Sequence, residues 1–539
     1  MLNLLTDRCF PVLRQDGRED TIPLHQIAET RNSVTQFLTP RHDFDGALVQ
    51  LAIGVLQTLF APPDEDTWLQ RFANPPDPDE LQAVFAKAAP FFELLGDGVR
   101  FMQDLELEPT PSEAKGIGTL LIEAPGGNTL KNNIDHFVKR GTVRQLGPFF
   151  TAVALYCLQT NAPSGGAGHR VGLRGGGPLT TVIWRPTLWQ TLWLGVLVRD
   201  DLLAGHPDAH RQWELEDCFP WARPTRDSKK KGSEIHAVSC HPAVHYWGMP
   251  RRIRLCDPDR DGGICDLEGR HRSALFRDYV TKNYGNNYGE GWHHPLTPHY
   301  LDKADQVLPL HGQPGSLSYH HWLGLAFSDC EQGKERRLPA RIVSRYGNRV
   351  RYLERITRES DMREPRLWVF GYDMDNAKAR AWIDRTMPVL LAHADDIDQR
   401  EHYRAHIQGM IQAARNVCQT LRAQVKSAFK GPIKARGDWS HLDLTFWNET
   451  EADFLALVAQ LAHDPDAVEP RETWLRQLQR KALVCFESHT ADRAVEVVDP
   501  ARVARAYNQL VKFTSPRGKR LRAMLDLPPA PTKREETTA

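Results

Sequence analysis

Apolar positions along the chain follow two rhythms. Between residues 8 and 24, "RCFPVLRQDGREDTIPL", short apolar runs flank Asp16-Gly17, a pair suited to the tight turn of a β-hairpin. Over 46–60 and 79–95 the spacing becomes helical, and apolar helices are predicted again near Phe149–Leu158 and over Thr187–Leu203. From there to about residue 345 the pattern breaks into short β-like runs separated by Pro and Gly. "RLWVFGYDMDNAKARAWID" changes the rhythm again: an apolar strand over Leu367–Phe370 gives way to turn residues, and Asp375 or Asn376 is placed to cap a following helix. Beyond it Tyr403, Ile407, Met410, Ala414, Val417, Leu421, Val425 and Ala428 recur at steps of three and four, which puts all eight on one helix face. Helical stretches at 449–463, 471–488 and 500–524 supply partners for that face. The pattern therefore predicts an α+β fold: a large mixed α/β N-terminal domain over 1–372, a C-terminal four-helix bundle over 373–525, and a disordered Pro-rich, charged tail over 526–539.

Composition narrows the function. The 539 residues exceed a single core, and 41% hydrophobic with 25% charged residues is ordinary for globular protein. Lys plus Arg, 68, equals Asp plus Glu, 68, so no global positive field draws in nucleic acid and any such binding must use local patches. Candidate patches are Arg223, Arg226 and Lys229, Lys230, Lys231; Arg251, Arg252 and Arg254; Arg341, Arg345, Arg349 and Arg351; and Arg517, Lys519, Arg520 and Arg522. The nine cysteines form no CxxC pair, which suits reduced thiols. Asp7 and Arg8 interrupt the place where a signal peptide would run on, and the apolar runs around Ala47–Phe60 and Leu188–Val198 are too short to span a bilayer, so a cytoplasmic protein without membrane contact is expected.

The candidate chemistry is concentrated in a few stretches. "NAPSGGAGHRVGLRGGGPLTT", residues 161–181, holds seven glycines and two arginines between apolar segments. Bare backbone beside cations suits close approach to phosphate or a nucleic-acid groove, although a plain surface loop has the same composition. The stretch has neither the P-loop nor the dinucleotide-binding spacing. "DPDRDGGICDLE", residues 257–268, matches a calcium-loop pattern but lacks the flanking helices that pattern requires. His293, His294 and His299 raise the alternative of a metal-dependent phosphodiesterase or hydrolase, yet their spacing fits no familiar zinc motif. No GxSxG or HExxH pattern occurs.

Read together, "MLNLLTDRCFPV", "APSGGAGHRVGLRGGGPLTT", "RIRLCDP", "WHHPLTPH" and "VFGYDMDNAKA" resemble, in order, the large subunit (CasA) of the type I-E CRISPR Cascade surveillance complex. The resemblance implies a non-catalytic subunit; some relatives carry clustered cysteines suited to zinc, but this chain keeps Cys256 and Cys265 without CxxC partners, so no metal and no cofactor are expected. It implies three partners: double-stranded target DNA carrying a protospacer-adjacent motif (PAM), the guide RNA with the other Cascade subunits, and a helicase-nuclease recruited later. By the same resemblance Ser164, Gly165, Gly166, Ala167 and Gly168 form a loop lying in the minor groove of the PAM, a groove about 6 Å wide. Asp375, Asn376 and Ala377 form a wedge that opens the first base pair, and Lys282, or its neighbour Asn283, reaches into the groove. Phe137, Val138 and Lys139 lie in a loop near the PAM and the guide end. Lys229, Lys230 and Lys231 complete the expected DNA contacts as a basic patch. Asn376 stands where the family commonly has Gln, so the PAM preference is open.

Overall fold

The hairpin expected around Asp16-Gly17 forms: Phe10–Arg14 pairs antiparallel with Glu19–Ile22, and Gly17 takes the left-handed conformation (φ +84°) that the turn needs. Val34–Phe37 pairs on the other side of Phe10–Arg14 and completes a three-stranded sheet. A computed structural model describes residues 2–133, 135, 140–315, 317–331, 334–356, 365–375, 378–389, 397–429, 439–490 and 499–530. Two compact units emerge, Met1–Gln313 with Arg336–Pro388, and Pro314–Glu335 with Val389–Ala539. The mixed helix and sheet of the first and the helices of the second make the fold α+β, as expected.

In the first unit the helix His42–Leu59 is buried on nearly every face, which matches its near-continuous apolar sequence. It packs against a second buried helix, Pro148–Asn161. Glycines permit the closest approaches along the first helix: a Cβ on Gly46 would lie 2.8 Å from the Phe370 ring, and one on Gly54 would lie 2.9 Å from Tyr246. Beside them Phe92, Phe101, Phe219, Trp221 and Trp247 interlock with ring centroids 5.1–5.9 Å apart. The single helix expected over Thr187–Leu203 is two, Leu188–Leu194 and Arg199–Leu203. The break falls at Gly195, whose backbone sits against Ile53 where a Cβ would not fit.

The largest departure concerns residues 373–388. The helix expected after Asp375 or Asn376 is not found among the described residues, Asn376 itself lying outside them: Lys378–Pro388 is a strand, paired antiparallel with Arg366–Asp375 from Arg366↔Pro388 to Asp375↔Lys378. Lys-Ala-Arg-Ala favours a helix, but Ile383 and Met387 are buried and Trp382 packs edge-on to Tyr372 at 4.8 Å, so tertiary contacts override the local preference. This hairpin belongs to the first unit, which moves the domain boundary from 372/373 to Pro388/Val389. Its first strand also pairs with Thr180–Trp184, the strand that directly follows the glycine stretch.

The second unit carries the helices Ile397–Ala428, Ser440–His463, Val468–Thr490 and Pro500–Phe513, with the short Lys519–Met524 after them. All eight residues of the apolar stripe are buried at 1% exposure or less. Pro314–Glu335 packs with the same helices: Tyr319 stacks on Phe454 at 4.3 Å and shares a hydrogen bond with Thr450 at 2.9 Å. The tail expected to be disordered from 526 is packed at its start. Leu527 is buried, and Arg522 Nε donates to Pro528 O at 2.5 Å. Residues 531–539 lie outside the described residues. Among the described residues no helix is long and apolar enough to cross a membrane.

Candidate nucleic-acid interface

The glycine stretch leaves the buried helix Pro148–Asn161 and returns to the strand Thr180–Trp184, so both ends are anchored in the core. Its inner half is packed. Gly177 (φ +60°) lies against Tyr372 and Met374 of the hairpin, where a Cβ would meet their side chains at 2.8 and 2.9 Å, and a Cβ on Gly176 would meet Pro163 at 2.8 Å. The outer half is open: Ser164, Gly165, Gly166 and Ala167 are exposed and Gly168 is half-buried. Contacts through Pro163, Gly176, Gly177 and Met374 therefore connect the root of the exposed loop to the base of the hairpin.

Tyr284 joins this loop to two others. Held in the left-handed region (φ +66°), it donates its N–H to Gly168 O at 2.8 Å and accepts from Ser228 N–H at 3.1 Å. Asn283 Nδ2 adds a bond to Ala167 O at 2.8 Å. Arg170 completes the triangle, with Nε donating to Ser228 Oγ at 2.8 Å and Nη2 to Ser228 O at 2.5 Å. The joint brings together Ser164–Gly168, the end of the strand Asp278–Lys282, and the loop carrying Lys229, Lys230 and Lys231.

Charge collects on the same face. Lys282 and all three loop lysines are exposed, and no ion pair links them, Lys115, Arg170 or Arg251 to a carboxylate among the described residues. Arg251 Nη2 donates to Pro163 O at 2.5 Å, at the start of the glycine loop. Burial pushes the Arg251 guanidinium down to about 10. His169 is lowered by burial first and then by Arg251 and Lys115, which places three basic groups together beside the loop. The exposed lysines around a low-bulk backbone are placed to meet phosphates on either side of a groove, while Arg170 and Arg251 hold the loops in place.

Other expected contacts are distributed differently. Asp375 is exposed at the end of its strand, whereas Asn376 and Ala377 lie outside the described residues, as do Phe137, Val138 and Lys139. Two basic runs are structural. Arg252 is buried on Asp104 at 2.6 Å, Arg345 pairs with Asp201, and Arg349 grips Glu65 through two bonds of 2.7 and 2.8 Å. The calcium-like loop is consumed internally, with Glu268 bound by Arg272 and Asp266 accepting from Arg144 and Gln145 N–H. His294 and His299 are buried at 2% and 6% exposure, and His294 Nδ1 accepts from Leu296 N–H. No group of three or more His, Cys, Asp or Glu side chains is placed to hold a metal among the described residues. Sequence reasoning missed Tyr284 and the structural use of Arg170. The one available signal was the polar turn "KNYGNNYG", which marks an irregular backbone without saying what it binds.

A family model described as CRISPR-associated protein Cse1 matches residues 3–485. The chain belongs to the Cse1 family. Solved structures agree on the fold: Cse1 of Thermobifida fusca is 18% identical with a TM-score of 0.69, over 97% of this chain and 98% of that one. CasA of Thermus thermophilus is 17% identical with a TM-score of 0.68, over 95% and 99% of the two chains. A chain of a CRISPR RNA-guided surveillance complex is 16% identical with a TM-score of 0.64, over 95% and 99%. The Cse1 resemblance carried by the five motifs is thus upheld across nearly the whole length, and with it the α+β fold.

Proposed function

We propose that this Cse1 chain is the large subunit of a type I-E Cascade complex, where it recognises the PAM in double-stranded DNA and starts strand separation. The observation that carries this reading is the joint at Tyr284, which gathers the exposed glycine loop, Lys282 and Lys229–Lys231 onto one face bearing lysines that have no acidic partner among the described residues. The loop backbone lies against base edges in the minor groove, and the lysines neutralise phosphates on its banks.

The hairpin supplies the second half of the action. Its strands pair as far as Asp375↔Lys378, and Arg380 braces the stem through Asp373 at 2.6 Å. A stem stitched to the sheet and packed on Gly177 delivers Asp375, Asn376 and Ala377 to the base step beside the PAM without yielding. Unstacking that step takes a few kcal/mol, offset by groove contacts and by pairing of the freed strand with the guide RNA. No covalent step is required, so the chain works as a non-catalytic subunit without a cofactor, and the opened complex is what the helicase-nuclease is recruited to. The test is reconstitution of the complex with and without this chain, scored against duplexes of every PAM sequence. Discrimination among PAMs is expected only when the chain is present, and equal discrimination without it would overturn the reading.

A further inference from the structure

Beneath the root of the glycine loop lies a small cavity whose lining includes Tyr156, Gln159, Arg174, His245, Tyr246 and His294. Arg174 is only 3% exposed and no carboxylate pairs with it among the described residues. Its Nη1 donates to Thr180 and Thr297 Oγ1 at 3.0 and 2.8 Å, and Nη2 to Gln50 Oε1 at 2.5 Å. A guanidinium has five N–H donors, so two remain. Tyr246 is 3% exposed and its hydroxyl has no hydrogen-bond partner among the described residues. His294 accepts at Nδ1, and burial together with the neighbouring Arg174 keeps it neutral, so its one proton sits on Nε2 as a further donor. His245 donates Nδ1 to Pro242 O at 2.7 Å, which leaves its Nε2 as an acceptor. Gln159 is committed at both ends, to Met102 and Arg251.

A buried charge with uncommitted donors and no opposite charge is costly unless something negative accompanies it. We propose that this cavity is a binding site for a small inorganic anion of the halide class, held by Arg174, Tyr246 and His294. The space is small, about 10 Å³ for the centre of a water-sized sphere, which favours a monatomic anion over phosphate or sulfate. Arg174 is itself part of the glycine stretch, and its carbonyl is bonded to His311 at 3.1 Å. The anion therefore fixes the root of the loop by neutralising the charge of Arg174 buried there.

The test uses the full chain. Crystals soaked in bromide should show an anomalous peak within hydrogen-bond reach of Arg174 and Tyr246. In solution, replacing gluconate by chloride at constant ionic strength should raise the melting temperature to a plateau. Tyr246→Phe, which keeps the ring and removes one donor, should raise the chloride concentration needed for half the effect by about tenfold. A cavity without an anomalous peak, or a chloride response that Y246F leaves unchanged, would overturn the assignment. Neither readout involves DNA, so failure here is distinguishable from failure of the PAM reading.

Discussion

Gly168 and Gly166 stand two residues apart and answer different questions when changed to alanine. Gly168 has φ +80°, and a Cβ there would meet Asn283 Cβ at 2.9 Å and the Tyr284 ring at 3.0 Å. Left-handed backbone costs an alanine roughly 1 kcal/mol. Relieving the contacts means loosening the Tyr284–Gly168 and Asn283–Ala167 bonds, each worth about 1 kcal/mol net. The sum, about 2–3 kcal/mol, acts on the position of the loop, and G168A should weaken PAM-duplex binding by roughly 30- to 150-fold if the loop must be in place to bind. Among the described residues Gly166 has no heavy atom within 4 Å of its would-be Cβ, and its φ is not left-handed. G166A should therefore leave the free protein unchanged and still weaken binding, because the added methyl faces the groove. The assay is fluorescence anisotropy of a PAM-bearing duplex on the reconstituted complex at fixed salt, with limited proteolysis of the free chain to report loop order. G168A binding like the parent would refute the joint, and G166A binding like the parent would refute contact between loop backbone and DNA.

Three further outcomes are expected. Changing Asn376 and Ala377 together to glycine should slow strand opening, followed by 2-aminopurine fluorescence, more than it weakens first contact with the PAM; equal losses would argue against a wedge. Replacing Lys229, Lys230 and Lys231 by alanine should lower the slope of log K against log salt by up to about 3, since each phosphate neutralised contributes about 0.9; an unchanged slope would place these lysines off the DNA. Burial lowers His299 to about 3, against about 6.5 in the unfolded chain. The unfolded state then binds the extra proton, so stability is complete above pH 6.5 and falls as pH drops below it. At pH 5 this one group costs about 2 kcal/mol, read as a lower urea midpoint than at pH 7.5.

Where local preference and tertiary environment agree, the sequence is legible. The Asp16-Gly17 hairpin and the eight-residue stripe from Tyr403 to Ala428 form as the pattern implies, because a tight turn and a helical face are decided by neighbours in sequence. Lys378–Pro388 misleads because its helix-forming start is overruled by Trp382, which packs on Tyr372 across the hairpin and lies beside Gly46, and by Ile383, which lies beside Gly312; Gly46 and Gly312 are distant in the chain. The glycine loop is visible as composition, but its attachment is not. Tyr284 matters through two backbone bonds that no side-chain pattern announces, and Arg170 is spent on Ser228 instead of being offered to solvent. The arginine runs at 251–254 and 341–351 mislead for the same reason, since the acids that occupy Arg252, Arg345 and Arg349 lie far away in sequence.

The most direct measurement is photo-crosslinking from Ala167 in the assembled complex, with a diazirine side chain at that exposed position and a target duplex in place. Adducts confined to the PAM base pairs, and lost when the PAM is scrambled, are what a loop lying in that groove must produce. Adducts spread along the duplex irrespective of the PAM, or absent from it altogether, would contradict the account.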